Sequence, residues 1–283
     1  MHLAAFIQKA STALEALYPA PESRNIALLL CTERLGISNY THITEPMLRI
    51  AEADEACLEK DLGRLLRGEP VQYVLGRTEF FGRTFKVDGR VLIPRPETEL
   101  LVQEAENLIR SLGGAVRVLD LCTGSGCIAW SVALDCPAAE VTAVDISEDA
   151  LQVAGSQFAS PNAPTFVKAD VLDRSIDFGR FDLLLSNPPY IMDKEKALMR
   201  RNVLDYEPGL ALFVPDADPL VFYKAIAGVA ARSLTDEGTG IVEINEMLGP
   251  ETAQAFIDAG LKDVRVLKDL SGKDRFVRFV KQL

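Results

Sequence analysis

At 283 residues the chain is long for one domain and short for three, and a hydrophobic fraction of 48% supports a core of that size. A net charge of −11 argues against a protein whose affinity comes from neutralising phosphates on duplex nucleic acid, and no stretch is long and uncharged enough to span a bilayer. With only His2 and His42, a histidine-centred metal site or catalytic triad is not expected, and the five scattered cysteines make no Cys-x-x-Cys pair and fit reduced thiols in a cytoplasmic protein. Met1 to Leu17 carries Lys9 and Glu15 in a helical pattern and lacks the apolar core of a signal peptide.

From Met1 to about Leu66, apolar residues recur at helical spacing: Leu3, Phe6 and Ile7, then Leu14 and Leu17, then Ile26, Leu29 and Leu30, then Leu58, Leu62 and Leu65. The pattern predicts a small helical bundle, broken at Pro19 and Pro21, with Ser23 as a helix cap. Pro70 to Ile93 is β-branched and aromatic, punctuated by Gly76, Gly82 and Gly89, and reads as a glycine-turned hairpin joining two domains. A helix to about Leu112 follows Pro94-Arg95-Pro96-Glu97-Thr98-Glu99, whose acids are ordinary complements to a helix dipole. Beyond Gly113-Gly114 strands and helices alternate. Strands are expected at Val116–Leu121, Val141–Val144, Thr165–Val167, Phe181–Leu185 and Gly240–Ile244, with helices from Ile128, Ala150 and Pro219. The tail around Ser271-Gly272-Lys273-Asp274 reads as an antiparallel hairpin at one sheet edge. The fold class is α/β: a Rossmann-like, mostly parallel sheet behind a helical N-terminal domain.

Two strand ends carry the chemistry. The first strand runs into Cys122-Thr123-Gly124-Ser125-Gly126, a turn whose glycines let backbone approach a ligand closely. Asp145 ends the second strand about twenty residues on, where a carboxylate can accept from ribose hydroxyls. These features are shared by nicotinamide and S-adenosylmethionine enzymes and do not separate them. The fourth strand stops at Asn187-Pro188-Pro189-Tyr190. Prolines have carbonyls and no N–H, so this rigid turn is rich in acceptors, which suits a ligand bearing an NH2 group. Amine acceptors have a use in methyl transfer to nitrogen and none in hydride transfer. Asp120, ahead of the glycine turn, is placed to orient an amino group, and Asp170 is a candidate for an adenine end.

Gly68-Glu69-Pro70-Val71-Gln72-Tyr73-Val74-Leu75-Gly76, Leu92-Ile93-Pro94-Arg95-Pro96-Glu97-Thr98-Glu99, the Asp120–Ile128 loop and Asn187–Tyr190 together resemble the peptide chain release factor glutamine methyltransferases. The resemblance implies a class I S-adenosylmethionine-dependent methyltransferase domain at 96–283, a β-hairpin linker at 69–95, and a helical domain at 1–68 that docks the substrate protein. It implies methyl transfer to the side-chain amide of the glutamine in the Gly-Gly-Gln motif of release factors, in the cytoplasm, without direct nucleic-acid binding. The alternatives are a ribosomal-protein glutamine or an adenine amine as acceptor; a dehydrogenase and a non-catalytic adapter rank lower. Cofactor-binding positions carry over to Cys122, Thr123, Gly124, Ser125, Gly126, Asp145 and Asn187. The substrate-binding positions are Asn187, Pro188, Pro189 and Tyr190, of which Asn187, Pro188 and Tyr190 are the expected catalytic residues. Two positions depart from the pattern. Cys122 stands where relatives usually have glycine and is expected to avoid positive φ, and Val171 stands where an aromatic often covers the adenine.

Overall fold

The computed structural model describes residues 1–282, which divide into two compact units: Met1–Arg77 with Arg200–Tyr206, and Thr78–Met199 with 207–282. In the first unit, α1 (Leu3–Leu14) buries Leu3, Phe6, Ile7, Ala10 and Leu14 along one stripe. That stripe packs with residues of α2 (Ala20–Leu35), α4 (Glu52–Leu65) and α5 (Val71–Leu75) around one core containing Leu30, Leu58, Leu62 and Val74, while the single turn α3 (Thr41–Thr44) buries no residue. Two expectations fail here. Ser23 lies inside α2 rather than capping it, because Pro19 and Pro21 sit at the helix start, where missing N–H groups cost nothing; the Ser23 hydroxyl instead donates to the Tyr18 carbonyl at 3.1 Å. Val71–Leu75 is helical rather than extended, bounded by Pro70 before and by Gly76 after, whose φ of 74° ends the helix.

The hairpin is therefore confined to β1 (Arg77–Phe80) and β2 (Arg83–Lys86). After it come a 3-10 turn at Pro96–Thr98, α6 (Glu99–Leu112), β3 (Val116–Leu121), α7 (Cys127–Asp135), β4 (Ala139–Asp145), α8 (Glu148–Gly155), β5 (Thr165–Lys168) and β6 (Phe181–Ser186). The segment beyond β6 contains the short parallel pair β7 (Ile191–Met192) and β8 (Phe213–Val214), and between them α9 (Arg201–Tyr206) of the first unit. The chain closes with α10 (Val221–Ser233), β9 (Leu234–Glu243), α11 (Gly249–Asp258), β10 (Lys262–Lys268) and β11 (Asp274–Val280).

Seven strands form one sheet in the order β10-β11-β9-β6-β3-β4-β5, parallel from β9 to β5 and antiparallel at β10 and β11. The expected fold class holds. Strand residues alternate between two cores, as the two-residue period of a pleated strand requires. Val118, Leu183 and Leu185 join the core holding Trp130 and Leu101, whereas Leu119, Leu121 and Leu184 join the one holding Tyr223 and Phe256. With both faces covered by helices, β3 and β6 are near-continuous apolar runs. The chain leaves β3 for β4 on one side and returns to β6 on the other, so a crevice opens beyond the carboxyl ends of β3, β4 and β6.

Candidate active site

A cleft occupies that crevice. Its walls include Cys122, Thr123, Gly124 and Ser125 after β3, Asp145 at the end of β4, and Asn187 and Pro189 after β6. Arg95 and Thr98 line it from the turn before α6, and Phe222 from α10 is its one aromatic wall among the described residues. Gly126, Pro188 and Tyr190 are not among the lining residues. Gly126 answers to packing: a Cβ added to it would lie 3.0 Å from the Ala154 Cβ and 3.1 Å from Trp130, so the glycine lets α7 and α8 approach each other.

The turn after β3 is held from below and from the side. Asp120 is fully buried; its Oδ2 accepts from the Thr123 hydroxyl at 2.6 Å, while Oδ1 has no hydrogen-bond partner among the described residues. Burial pushes its pKa up to about 7, against the pull of the Thr123 bond. Asp120 does not line the cleft, because its carboxylate points beneath the turn; the expected contact with a ligand amino group gives way to a bracing role. From the side, Asp145 accepts from the Gly124 N–H at 2.8 Å through Oδ2 and from the Ser147 N–H at 2.9 Å through Oδ1. Burial raises the Asp145 pKa, opposed by these backbone donors. The expectation for Cys122 is overturned: its φ is 61°, the left-handed region in which a side chain is crowded against its own backbone. The turn reverses tightly between β3 and α7, and Gly124 (φ 54°) and Gly126 (φ 79°) share the left-handed conformation. Burial and the nearby acids also push the Cys122 thiol well above its usual range, which leaves it a neutral packing group.

Beyond β6 the backbone is tied down on both sides. The Ser186 hydroxyl donates to the Leu121 carbonyl at 2.7 Å, and the Asn245 side-chain amide donates to the Tyr190 carbonyl at 3.1 Å. Asn187 donates through Nδ2 to the Thr98 hydroxyl oxygen at 3.2 Å. The Thr98 hydroxyl in turn donates to Glu243 Oε2 at 2.7 Å, and the Tyr190 hydroxyl donates to Glu243 Oε1 at 3.1 Å. Burial raises the pKa of Glu243, while the Thr98 and Tyr190 bonds and the charge of Arg275 oppose the rise. Sequence reasoning missed Glu243, as an acid at a strand end is ordinary. It also missed Glu207, whose carboxylate accepts from the Arg95 guanidinium at 2.6 Å and from the Ile93 N–H at 3.2 Å and so anchors the segment before α6.

The cleft suits a nucleoside-bearing ligand. A Cβ built on Gly124 meets nothing within 4 Å, so the absent side chain leaves open cleft beside an acid that can still accept from hydroxyls. Asp170 and Val171 also line it; the Asp170 carboxylate accepts from the Leu172 N–H at 2.8 Å, and the aromatic missing at Val171 is matched by Phe222 in the same wall.

Two family models match the chain: the PrmC N-terminal domain over residues 5–76 and the methyltransferase small domain over residues 96–204. A release factor glutamine methyltransferase of Bacteroides thetaiotaomicron is 40% identical over 266 residues, covering 93% of this chain and 95% of the relative. One of the same name from Flavobacterium psychrophilum is 37% identical, covering 94% of each. Among solved structures, a methyltransferase from Pyrococcus furiosus shares the fold with a TM-score of 0.53 at 17% identity, covering 80% of this chain and all of that one.

Proposed function

The chain belongs to the release factor glutamine methyltransferases, a family and fold that imply use of S-adenosylmethionine, and on that premise we propose that it methylates the side-chain amide of the glutamine in the Gly-Gly-Gln motif of release factors. The observation that carries this reading is the orientation of Asn187, whose NH2 is engaged by Thr98 and whose Oδ1 is thereby left as an acceptor beside the cleft. An amide nitrogen is a poor nucleophile, since its lone pair is delocalised into the carbonyl, so the site must position it. Asn187 Oδ1 and the Pro188 carbonyl accept its two N–H bonds and turn the lone pair toward the neighbouring cleft. Both acceptors gain strength as positive charge builds on nitrogen, which favours the transition state over the ground state. Holding the nitrogen in line contributes on the order of 7 kcal/mol in well-oriented cases. Pro189 and Tyr190 complete the glutamine-binding turn.

Cys122, Thr123, Gly124 and Ser125 would hold the cofactor's methionine end, with Gly126 shaping the turn behind them, while Asp145 would take the ribose hydroxyls and Asn187 borders both sites. When bound, S-adenosylmethionine supplies an electrophilic methyl on sulfur. The exposed Tyr40, Ile43 and Met47 of the helical unit support its reading as a dock for the substrate protein. No helix among the described residues is long and apolar enough to cross a membrane, and five free thiols suit the cytoplasm, where release factors work. The acidic composition speaks against direct nucleic-acid binding.

The test is mass spectrometry of a release factor incubated with the protein and S-adenosylmethionine, with DNA as the rival acceptor. One methyl on the Gly-Gly-Gln glutamine is expected, and Asn187→Ala should lower the rate by roughly a hundredfold. Methyl on adenine, or an Asn187→Ala protein as fast as wild type, would remove the proposal.

A further inference from the structure

The Asn187 amide is useful only one way round. With Oδ1 toward the ligand it accepts N–H bonds from a carboxamide and repels a carboxylate; turned over, it would present NH2 and welcome the carboxylate instead. Nothing within Asn187 chooses between these states, so the choice lies with its neighbours. Glu243 is 1% exposed and sits at the end of β9, with one oxygen on the Thr98 hydroxyl at 2.7 Å and the other on the Tyr190 hydroxyl at 3.1 Å. A carboxylate only accepts, so both hydroxyls must donate to it. Each hydroxyl has a single proton. Thr98 is 2% exposed, so its hydroxyl oxygen has only a lone pair left for Asn187 at 3.2 Å, and only an NH2 group can satisfy a lone pair.

We infer that Glu243, acting through Thr98, sets the orientation of the Asn187 amide and so makes the site select glutamine over glutamate. This rests on the reading of glutamine as the substrate and adds its specificity determinant. Glu243 and Thr98 are positioning residues: the direction of donation runs Asn187 to Thr98 to Glu243, and the polarity that the ligand meets is written by a buried acid two hydrogen bonds away. The Tyr190 hydroxyl, on the other Glu243 oxygen, fixes the same turn from its far end. Removing the Thr98 hydroxyl frees the Asn187 amide to rotate, and a glutamate side chain can then draw its NH2 inward.

The experiment titrates a release factor carrying either Gly-Gly-Gln or Gly-Gly-Glu into the protein in the presence of S-adenosylhomocysteine, and reads the ratio of the two affinities. Wild type should prefer glutamine by about tenfold or more. Thr98→Val, nearly isosteric, should lose most of that preference, and Thr98→Ser, which restores the hydroxyl, should keep it. Glu243→Gln should lose it too, because its carboxamide can donate to Thr98 and reverse the hydroxyl. General damage to the fold would weaken both ligands together and leave the ratio unmoved. A Thr98→Val ratio within twofold of wild type, or a Thr98→Ser protein as unselective as Thr98→Val, overturns the inference. Failure of unsubstituted protein to bind the glutamine form overturns the underlying reading as well, and is told apart because it appears without any substitution.

Discussion

Cys122 carries the clearest backbone strain in the cleft. For an L residue at φ 61° the side chain crowds the following carbonyl, at a cost of about 1–2 kcal/mol that glycine avoids. Comparing Cys122→Ala with Cys122→Gly isolates this cost, since both remove the thiol. Glycine should be the more stable by about 0.5–1 kcal/mol after its greater unfolded-state entropy is deducted, measured by urea denaturation. Equal stabilities would mean that the turn relaxes once the sulfur is gone. Residue by residue, the parts of the site that could be read from sequence are those marked by local chemistry. Asp145 and Asn187 each close an apolar run, and Gly124 sits in a strand-to-helix turn. Glu243 was illegible for the opposite reason: its partners Thr98 and Tyr190 lie 145 and 53 residues away, and its neighbours in the chain say nothing of either. The same holds for the φ of Cys122, which is imposed by the tight reversal between two packed elements and not by any preference of cysteine.

Elements were legible where their pattern was long enough to count. The near-continuous apolar runs of β3 and β6 and the 3.6-residue stripe of α1 are each bounded by clear breaks, whereas α5 spans five residues, too few to tell a helix from a strand when Val71, Tyr73 and Val74 favour the strand. The signal that settles α5 is its punctuation, Pro70 before and Gly76 after. In the sheet, one glycine makes room for the antiparallel tail to pair. Gly240 in β9 faces Phe279 in β11, and a Cβ there would lie 2.1 Å from the Phe279 ring. That ring cannot retreat, being fully buried and stacked on Phe256 with centroids 4.3 Å apart. Gly240→Ala should therefore destabilise the protein by about 1–3 kcal/mol through overpacking. Pairing it with Phe279→Leu should recover part of the loss, and a double variant no better than the sum of the singles would remove the steric account.

At the scale of the molecule, every residue lining the cleft belongs to the second unit, yet they come from segments spread from Arg90 to Phe222. Such a site exists only in the folded state, so whatever binds it must stabilise that state by mass action. At a hundredfold excess over its dissociation constant the gain is about 2.7 kcal/mol. For a unit of this size that corresponds to a rise in Tm of roughly 5–10 °C. Calorimetry with increasing S-adenosylmethionine should show a logarithmic rise, while NAD, which the glycine turn alone would not exclude, should leave Tm unchanged. If the two units melt as separate transitions, only that of the second should move. A rise with NAD in place of S-adenosylmethionine would reverse the cofactor assignment. Movement confined to the helical unit would mean that the ligand binds outside the crevice built by β3, β4 and β6.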